Sequence, residues 1–172
     1  NAAIAGCGVI SDIYLQNLTG RFEIIKVVGC YDRNRGKMDQ KQEKYGVKAM
    51  SFDEILSDPS IEMLINLTSP AGHFDLTSQA LKAGKHVFTE VPAVTTVEDA
   101  WAMVETAEKT RLHCMMLENC CYAPNELLYL NLCRMGKIGE LVHAECAYIH
   151  DLREENYLEP NIANPYWENN GY

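Results

Sequence analysis

The chain has 172 residues, of which 47% are hydrophobic and 23% are charged, a composition typical of a soluble globular protein. Its formal net charge of −9 argues against nucleic acid as a partner, because phosphate binding needs a basic surface. No apolar run reaches the roughly 20 residues that span a bilayer, and Asn1 to Ala5 lack the basic start of a signal peptide. We therefore expect a cytoplasmic protein without a membrane partner.

The hydrophobic pattern predicts strands that alternate with helices. A short strand at residues 2–5 is followed by a helix at 9–18, and the β-branched run from Phe22 to Asp32 predicts the second strand. Thr95 and Glu98 resemble a capping box for a helix that ends at Thr110. The other predicted strands are 47–50, 62–68, 85–90 and 113–117, and the other predicted helices are 35–45, 51–57, 70–83 and 124–135.

This alternation indicates a parallel sheet covered by helices on both faces. Six strands by Leu117 fit an α/β, doubly wound dinucleotide-binding unit of the Rossmann type. Beyond Asn119 the rhythm changes, and the alternating stretch at 140–150 predicts a lone half-buried strand. We therefore expect a Rossmann domain at 1–119, followed at 120–172 by the truncated start of an α+β substrate domain.

Seven cysteines lie along the chain, and none of them forms a CxxC pair. Their odd number and apolar surroundings indicate reduced thiols that act as small core residues. His113, Cys114, Cys120 and Cys121 form a cluster that could suggest zinc, but adjacent cysteines lack the usual ligand spacing. We expect no metal site.

A glycine turn separates the first strand from the first helix. Gly6 would allow a tight turn, and Gly8 would let a diphosphate approach the backbone without meeting a Cβ. The helix that begins at Val9 and Ile10 offers free N–H groups and the positive end of its dipole. Ser11 replaces the third glycine of GxGxxG and is small enough for close helix–strand packing. The alternative is a glycine turn without a nucleotide.

Asp32 ends the second strand, where a carboxylate accepts hydrogen bonds from the ribose hydroxyls of adenosine and favours NAD. The alternative is an aspartate that caps a turn. Arg33 follows, and an arginine at this place can hold the 2′-phosphate of NADP. The expected cofactor is NAD, with NADP as the alternative.

The later strands also end in polar residues, at the edge where open α/β sheets bind ligands. Thr68, Ser69 and Pro70 form a turn after the fourth strand, beside the expected nicotinamide ribose. His73 lies in the first turn of the next helix, where it meets cofactor or substrate or else packs at the helix end.

The fifth and sixth predicted strands end in "TEVPA" and "LENCCY". Pro92 forces Val91 to be extended, so Glu90 leaves the sheet edge in a fixed direction to bind sugar hydroxyls or to cap a turn. Asn119 supplies a donor and an acceptor, either for a ribose or carboxamide or for its own loop.

Six motifs together resemble the glucose–fructose oxidoreductase, inositol dehydrogenase and MocA family. They are "AIAGCGVIS", "CYD", "NLTSPAGHF", "ALKAGKHVFTEVPA", "MMLENCCY" and "GKIGELVHAECAYIHDLR". The resemblance covers about residues 2 to 155. The resemblance implies a Rossmann domain and a C-terminal domain on a large open sheet, which usually forms the oligomer interface. It also implies NAD(P) and hydride transfer at a sugar or cyclitol carbon.

One departure from this family concerns Val91. Its dehydrogenases have Glu-Lys-Pro after the fifth strand, with a lysine that assists proton transfer, whereas this chain has Glu90-Val91-Pro92. A valine neither donates nor accepts a proton. "EVPA", "MMLENCCY" and "AYIHDLR" are similar to the branch of NAD-dependent glycosidases such as α-N-acetylgalactosaminidases, which oxidise a sugar, eliminate the glycoside, add water and reduce the sugar again.

The resemblance to this branch implies that Glu90, Val91 and Asn119 line the NAD site. Tyr148 would face the sugar with His150 close by, and the alternative for Tyr148 is an aromatic residue that packs on the sheet. Family members run well beyond this length. We therefore expect the catalytic residues to lie past Tyr172 and this piece alone to be inactive.

For the full-length protein we expect a carbohydrate substrate and a homo-oligomer formed through the C-terminal sheet. The truncated sheet also predicts exposed apolar surface from Leu127 to Tyr148. The alternatives to a glycosidase are a plain sugar or cyclitol dehydrogenase and a non-catalytic nucleotide-binding protein.

Overall fold

A computed structural model describes residues 1–147 and Ile149. Its first part is a sheet of six parallel strands in the order β3-β2-β1-β4-β5-β6. The order reverses between β1 and β4, which confirms the predicted doubly wound Rossmann sheet. The strands are β1 (Ala2–Ala5), β2 (Val27–Tyr31), β3 (Lys48–Ala49), β4 (Met63–Asn66), β5 (His86–Thr89) and β6 (Cys114–Met116).

Six α-helices connect and follow the strands. Ser51 caps α3 through a reciprocal pair of hydrogen bonds with Glu54, and Gly46 ends α2 in the left-handed conformation, as their sequence signals predict. The helices are α1 (Ile10–Gly20), α2 (Arg35–Tyr45), α3 (Phe52–Ser57), α4 (Pro70–Lys82), α5 (Val97–Thr110) and α6 (Pro124–Arg134).

The core consists of two hydrophobic clusters, one on each face of the sheet. Ala2 and Ile4 belong to one cluster, and Ala3 and Ala5 belong to the other, because successive strand residues point to opposite faces. Residues of α1 and α2 complete the first cluster, while residues of α3, α4 and α5 complete the second. Strand β1 is therefore buried along its whole length.

The second strand is shorter than its β-branched sequence predicts. It begins at Val27, and Ile24 before it is 92% exposed. The parallel partner β1 pairs with it only from Ala2 and Val27 onward. The Lys26 carbonyl still accepts a hydrogen bond from the Ala2 N–H at 2.8 Å. Residues 22–25 have no neighbouring strand among the described residues, and β propensity alone does not extend the sheet.

Helix α5 differs from its prediction at its N-terminus. Thr96, not Thr95, is the N-cap, and its hydroxyl accepts a hydrogen bond from the backbone N–H of Asp99 at 3.1 Å. The apolar residues Val97, Trp101 and Val104 lie on the exposed side, with Trp101 66% exposed, whereas Met103 is buried.

The chain divides into two compact units, Asn1–Leu117 and Glu118–Tyr172. The second contains a short 3-10 helix at Cys120–Tyr122 and α6, which is followed by Gly136 and Gly139 in the left-handed conformation. Residues 141–147 form no strand, so the strand predicted at 140–150 is wrong over this stretch. The described part of this unit holds no other strand to which it could bond.

Apolar side chains of the second unit are exposed from α6 onward, as predicted. Leu128, Tyr129, Leu141 and Val142 are all among them. Tyr148 and His150 lie outside the described residues. Across the part of the chain that the structure describes, none of the helices combines the length and the hydropathy needed to cross a membrane.

Candidate functional site

The strands β1, β2, β4 and β5 end at one edge of the sheet, on either side of the point where the strand order reverses. Two connections that leave this edge in opposite directions open a crevice between them, where open α/β sheets bind ligands. The predicted site residues of the first unit follow these strand ends.

The turn after β1 gives Gly6 and Gly8 different roles. Gly6 has φ of +96°, and a Cβ added to it would lie 2.4 Å from the backbone oxygen of Leu67 at the end of β4. A Cβ added to Gly8 would meet no atom within 4 Å. The fold therefore requires the first glycine, whereas the second leaves open space over the turn.

Helix α1 begins beside this open space. Val9 occupies its N-cap position without a side-chain capping bond, and the side chain of Val9 is 85% exposed. Ile10 is also exposed, and Ser11 is buried, where its hydroxyl donates to the Gly8 carbonyl at 2.6 Å. The uncapped helix end therefore presents its positive dipole at the Gly8 turn.

Asp32 ties the glycine turn to the end of β2. Its Oδ2 accepts a hydrogen bond from the backbone N–H of Cys7 at 2.8 Å, and its Oδ1 accepts one from the backbone N–H of Asn34 at 2.8 Å. Each carboxylate oxygen has a second lone pair, so the group can still accept from a ligand hydroxyl. Arg33 beside it is exposed.

Asn66 organises the turn after β4, and the sequence analysis missed it. Its amide donates to the His73 carbonyl at 3.1 Å and to the Thr77 hydroxyl at 3.2 Å. Its carbonyl oxygen accepts from the Thr68 hydroxyl at 2.7 Å. The fully buried Asn66 thus shapes the Thr68, Ser69 and Pro70 segment. An asparagine at the end of an otherwise apolar strand is the signal that could have found it.

His73 lies inside the wall of the crevice, since it is only 1% exposed. Its Nδ1 is 2.7 Å from the carbonyl oxygen of Pro92, and its Nε2 is 2.7 Å from the carbonyl oxygen of Thr68. The ring therefore joins the turn after β4 to the segment after β5. Both ring nitrogens are thus within hydrogen-bond distance of backbone carbonyl oxygens.

Glu90 at the end of β5 is held by two donors. The Tyr14 hydroxyl donates to its Oε1 at 2.7 Å, and the backbone N–H of Val91 donates to its Oε2 at 3.0 Å. Burial, together with Glu90, raises the pKa of Tyr14. Val91 is 38% exposed. Sequence reasoning missed Tyr14, because 76 residues separate it from its partner.

Ion pairs fix α1 against α2 on the side of α1 away from Glu90. Asp12 is 2.8 Å from Lys41, whose side chain is only 9% exposed, and 3.2 Å from Lys44. The Tyr45 hydroxyl donates to Asp12 at 2.6 Å. Burial acts to raise the pKa of Asp12, but the hydrogen bonds from Lys41, Tyr45 and Lys44 outweigh it and lower the pKa to about 2.

The remaining predicted site residues lie elsewhere. Asn119 is exposed in the second unit, where its Oδ1 is 3.7 Å from the Cys120 thiol. Tyr148 and His150 are beyond the described range. Over residues 1–147 and Ile149, no three His, Cys, Asp or Glu side chains converge in a way that could hold a metal ion.

A family model described as an oxidoreductase family with an NAD-binding Rossmann fold, GFO/IDH/MocA, matches residues 1–118. The chain belongs to this family. A second family model, described as the C-terminal domain of glycosyl hydrolase 109, matches residues 122–166. This second match lies within the unit Glu118–Tyr172.

Similar proteins carry glycosidase names. A glycosyl hydrolase family 109 protein 2 from Phocaeicola vulgatus is 48% identical over 117 residues, which cover 68% of this chain and 28% of that protein. An alpha-N-acetylgalactosaminidase from Bacteroides fragilis is 52% identical over 93 residues, which cover 54% of this chain and 22% of that protein. The chain thus spans about a quarter of the length of these relatives.

Among solved structures, scyllo-inositol dehydrogenase from Lactobacillus casei with bound NAD(H) and scyllo-inositol has a TM-score of 0.75 at 20% identity. The match covers 81% of this chain and 42% of that structure. At this identity the match shows the fold.

The residues of this family member fit a dinucleotide. The turn at Gly8 leaves open space next to an uncapped helix end, as a diphosphate requires. Asp32 lies beside that turn with lone pairs to spare.

Proposed function

We propose that this chain is the NAD-binding part of an enzyme that acts on a carbohydrate by hydride transfer at a ring carbon, and that the whole protein is a redox-assisted glycosidase. The observation that carries the proposal is the order of the two family matches. A glycosyl hydrolase 109 C-terminal region at 122–166 directly follows an NAD-binding oxidoreductase region at 1–118.

When bound, NAD would take a hydride from a sugar carbon and return it. In this proposal the Gly6–Gly8 turn and the start of α1, with Val9 and Ile10, receive the diphosphate. Asp32 accepts from the adenosine ribose and favours NAD over NADP, with Arg33 at the rim.

The ends of β4 and β5 would form the other half of the crevice. The turn formed by Thr68, Ser69 and Pro70 would lie along the nicotinamide ribose. The Asn66 side chain holds this turn through hydrogen bonds with the Thr68 hydroxyl and the His73 carbonyl. The His73 ring lies within hydrogen-bond distance of the Thr68 and Pro92 carbonyl oxygens. Glu90 and Val91 would line the NAD site. On the family resemblance alone, we also propose Asn119 as a cofactor residue and Tyr148 and His150 as substrate residues.

Val91 favours the glycosidase over a plain sugar or cyclitol dehydrogenase. Its side chain can neither donate nor accept a proton, so it gives no acid or base for simple alcohol oxidation at the end of β5. A plain dehydrogenase is the second candidate, because the matched family is described as an oxidoreductase family.

The decisive experiment uses the full-length protein with an aryl α-N-acetylgalactosaminide. A redox-assisted glycosidase releases the aryl alcohol without net NADH production, because the hydride returns to the sugar in each turnover. Steady accumulation of NADH with a free sugar, without aryl release, would establish the dehydrogenase instead. NAD binding without either activity would indicate a non-catalytic protein, and no NAD binding at millimolar concentration would reject both enzymes.

We also propose that the full-length protein works in the cytoplasm and forms a homo-oligomer through its C-terminal sheet. The odd number of cysteines and the lack of CxxC spacing support a reducing compartment. The exposed apolar side chains of α6 and of residues 141 and 142 support an interface there. Light scattering of the full-length protein measures the oligomeric state, and a monomer would contradict this proposal.

A further inference from the structure

The hydrogen bond between Tyr14 and Glu90 connects two parts of the crevice that are distant in sequence. Tyr14 lies in α1, one turn after Ile10 and therefore on the same side of the helix. Its hydroxyl is 2.7 Å from Oε1 of Glu90, which directly follows β5. The helix that begins at the glycine turn thus contacts the strand end on the opposite side of β4.

Glu90 is fixed at both its backbone and its carboxylate. Its backbone N–H donates to the Asn66 carbonyl at 2.9 Å, which continues the bonding between β4 and β5. Each carboxylate oxygen accepts one hydrogen bond, from Tyr14 or from Val91 N–H. Each oxygen keeps a further lone pair, so Glu90 can accept from a ligand, and a hydroxyl is the matching donor.

Tyr14 acts only as a donor in this pair. It is half-buried and packs against the hydrophobic cluster that contains Leu15 and Val27. Because burial and Glu90 both raise the pKa of Tyr14, its hydroxyl keeps its proton at neutral pH. A protonated phenol held in place by core packing is a rigid donor for the Glu90 carboxylate.

We propose that Tyr14 is a positioning residue whose hydroxyl holds the Glu90 carboxylate in the direction that accepts a sugar hydroxyl. The hydroxyl belongs either to the ribose of the bound dinucleotide or to the carbohydrate substrate. This inference rests on the proposed function, because it takes the crevice between these strand ends as the NAD and sugar site. It adds a residue that contacts neither ligand and acts through Glu90.

Tyr14→Phe is the direct test, since it removes the hydroxyl and keeps the ring. Tyr45→Phe is a matched control. It removes a phenol–carboxylate hydrogen bond of 2.6 Å to Asp12, also at α1 but on the face that meets α2. Both variants should lower the thermal unfolding midpoint of the full-length protein by similar small amounts.

Ligand binding should separate the two variants. We expect Tyr14→Phe to weaken NAD binding by calorimetry, or to raise KM for the glycoside, by about tenfold, as for the loss of a hydrogen bond to a charged group. Tyr45→Phe should leave both values unchanged. A change in NAD affinity alone assigns the hydroxyl to the ribose, and a change in KM for the glycoside alone assigns it to the substrate.

Glu90→Gln is a second variant for the same binding measurements, and it replaces Tyr14→Phe if that variant does not fold. It should weaken the same ligand as Tyr14→Phe, and the double variant should bind about as weakly as Glu90→Gln alone, because Tyr14 acts through Glu90. The inference is overturned if wild-type protein binds NAD and turns over glycoside but Tyr14→Phe or Glu90→Gln behaves as wild type. It is also overturned if Tyr45→Phe weakens binding equally. Failure of the wild-type protein to bind NAD would instead remove the proposed function.

Discussion

Substitution of the two glycines in the turn after β1 separates a requirement of the fold from a requirement of ligand binding. In Gly6→Ala the new Cβ would lie 2.4 Å from the Leu67 backbone oxygen, at a residue with φ of +96°. In Gly8→Ala the new Cβ would meet nothing within 4 Å. The same chemical change, two residues apart, should therefore give opposite results.

The expected magnitudes follow from these distances. Gly6→Ala combines the backbone strain of a non-glycine residue, about 1–3 kcal/mol, with a contact that only a shift of the β4 end can relieve. We expect it to lower the free energy of unfolding by at least about 2 kcal/mol. Gly8→Ala should change that free energy by less than about 0.5 kcal/mol, because the added Cβ meets no atom within 4 Å.

Gly8→Ala, which should hardly change the free energy of unfolding, should strongly weaken the binding of NAD. A methyl group over the turn would displace the diphosphate from the backbone N–H groups at the start of α1. The loss of one charge-assisted hydrogen bond, about 1.5–3 kcal/mol, corresponds to a roughly 10- to 150-fold rise in the dissociation constant of NAD.

The assay is chemical unfolding and NAD calorimetry of the full-length protein and of both variants. If Gly8→Ala binds NAD as tightly as wild type, the diphosphate does not lie at this turn and the cofactor assignment fails at its first step. If Gly6→Ala is as stable as wild type, the close contact between the turn and the end of β4 is wrong.

Three further predictions concern polar groups around the crevice. Asp32→Ala should weaken NAD more than NADP, because it removes the acceptor for the ribose diol and a charge that repels a 2′-phosphate; calorimetry with both cofactors measures this, and equal loss would contradict the ribose assignment. Asn66→Ala should lower the free energy of unfolding by about 2–4 kcal/mol, because it leaves buried partners unsatisfied. Thr77→Ala removes only one of these bonds and should cost less in the same unfolding measurement. Folding lowers the pKa of Asp12 from 3.8 to about 2. Its ionised carboxylate therefore stabilises the folded protein fully at pH values above 3.8, and this stabilisation is lost as the pH falls from 3.8 towards about 2. The difference in unfolding midpoint between wild type and Asp12→Asn should therefore shrink as the pH falls through this range. A difference that stays constant would show that folding does not lower the pKa of Asp12.

The local signals of the chain predicted the elements of the first unit and their arrangement. Apolar runs that alternate with helical periods predicted six strands and a doubly wound sheet, and the structure has them. Caps that depend on adjacent residues, such as Ser51 with Glu54, were also predictable, since both partners lie within one turn. Gly6 and Gly8 were recognised for the same reason, because a strand, a turn and a helix start follow one another directly.

Tertiary contacts decided the features that those signals missed. A β-branched sequence predicted β2 from Phe22, but a strand extends only as far as its neighbour, and β1 pairs with it only from Val27. The alternating stretch at 140–150 likewise had the period of a strand without a strand beside it in the described residues. Hydrophobic period and β propensity are properties of one segment, whereas a sheet forms only where two segments pair.

The site shows the same division between local and long-range information. Asp32 and Glu90 stood out in sequence, because each ends a predicted strand. Their partners did not, because Cys7 donates to Asp32 across 25 residues and Tyr14 donates to Glu90 across 76 residues. The sequence by itself determined which groups end the strands. Only the folded sheet decided which donors meet them, because hydrogen bonds depend on distance in space and a single sequence records only distance along the chain.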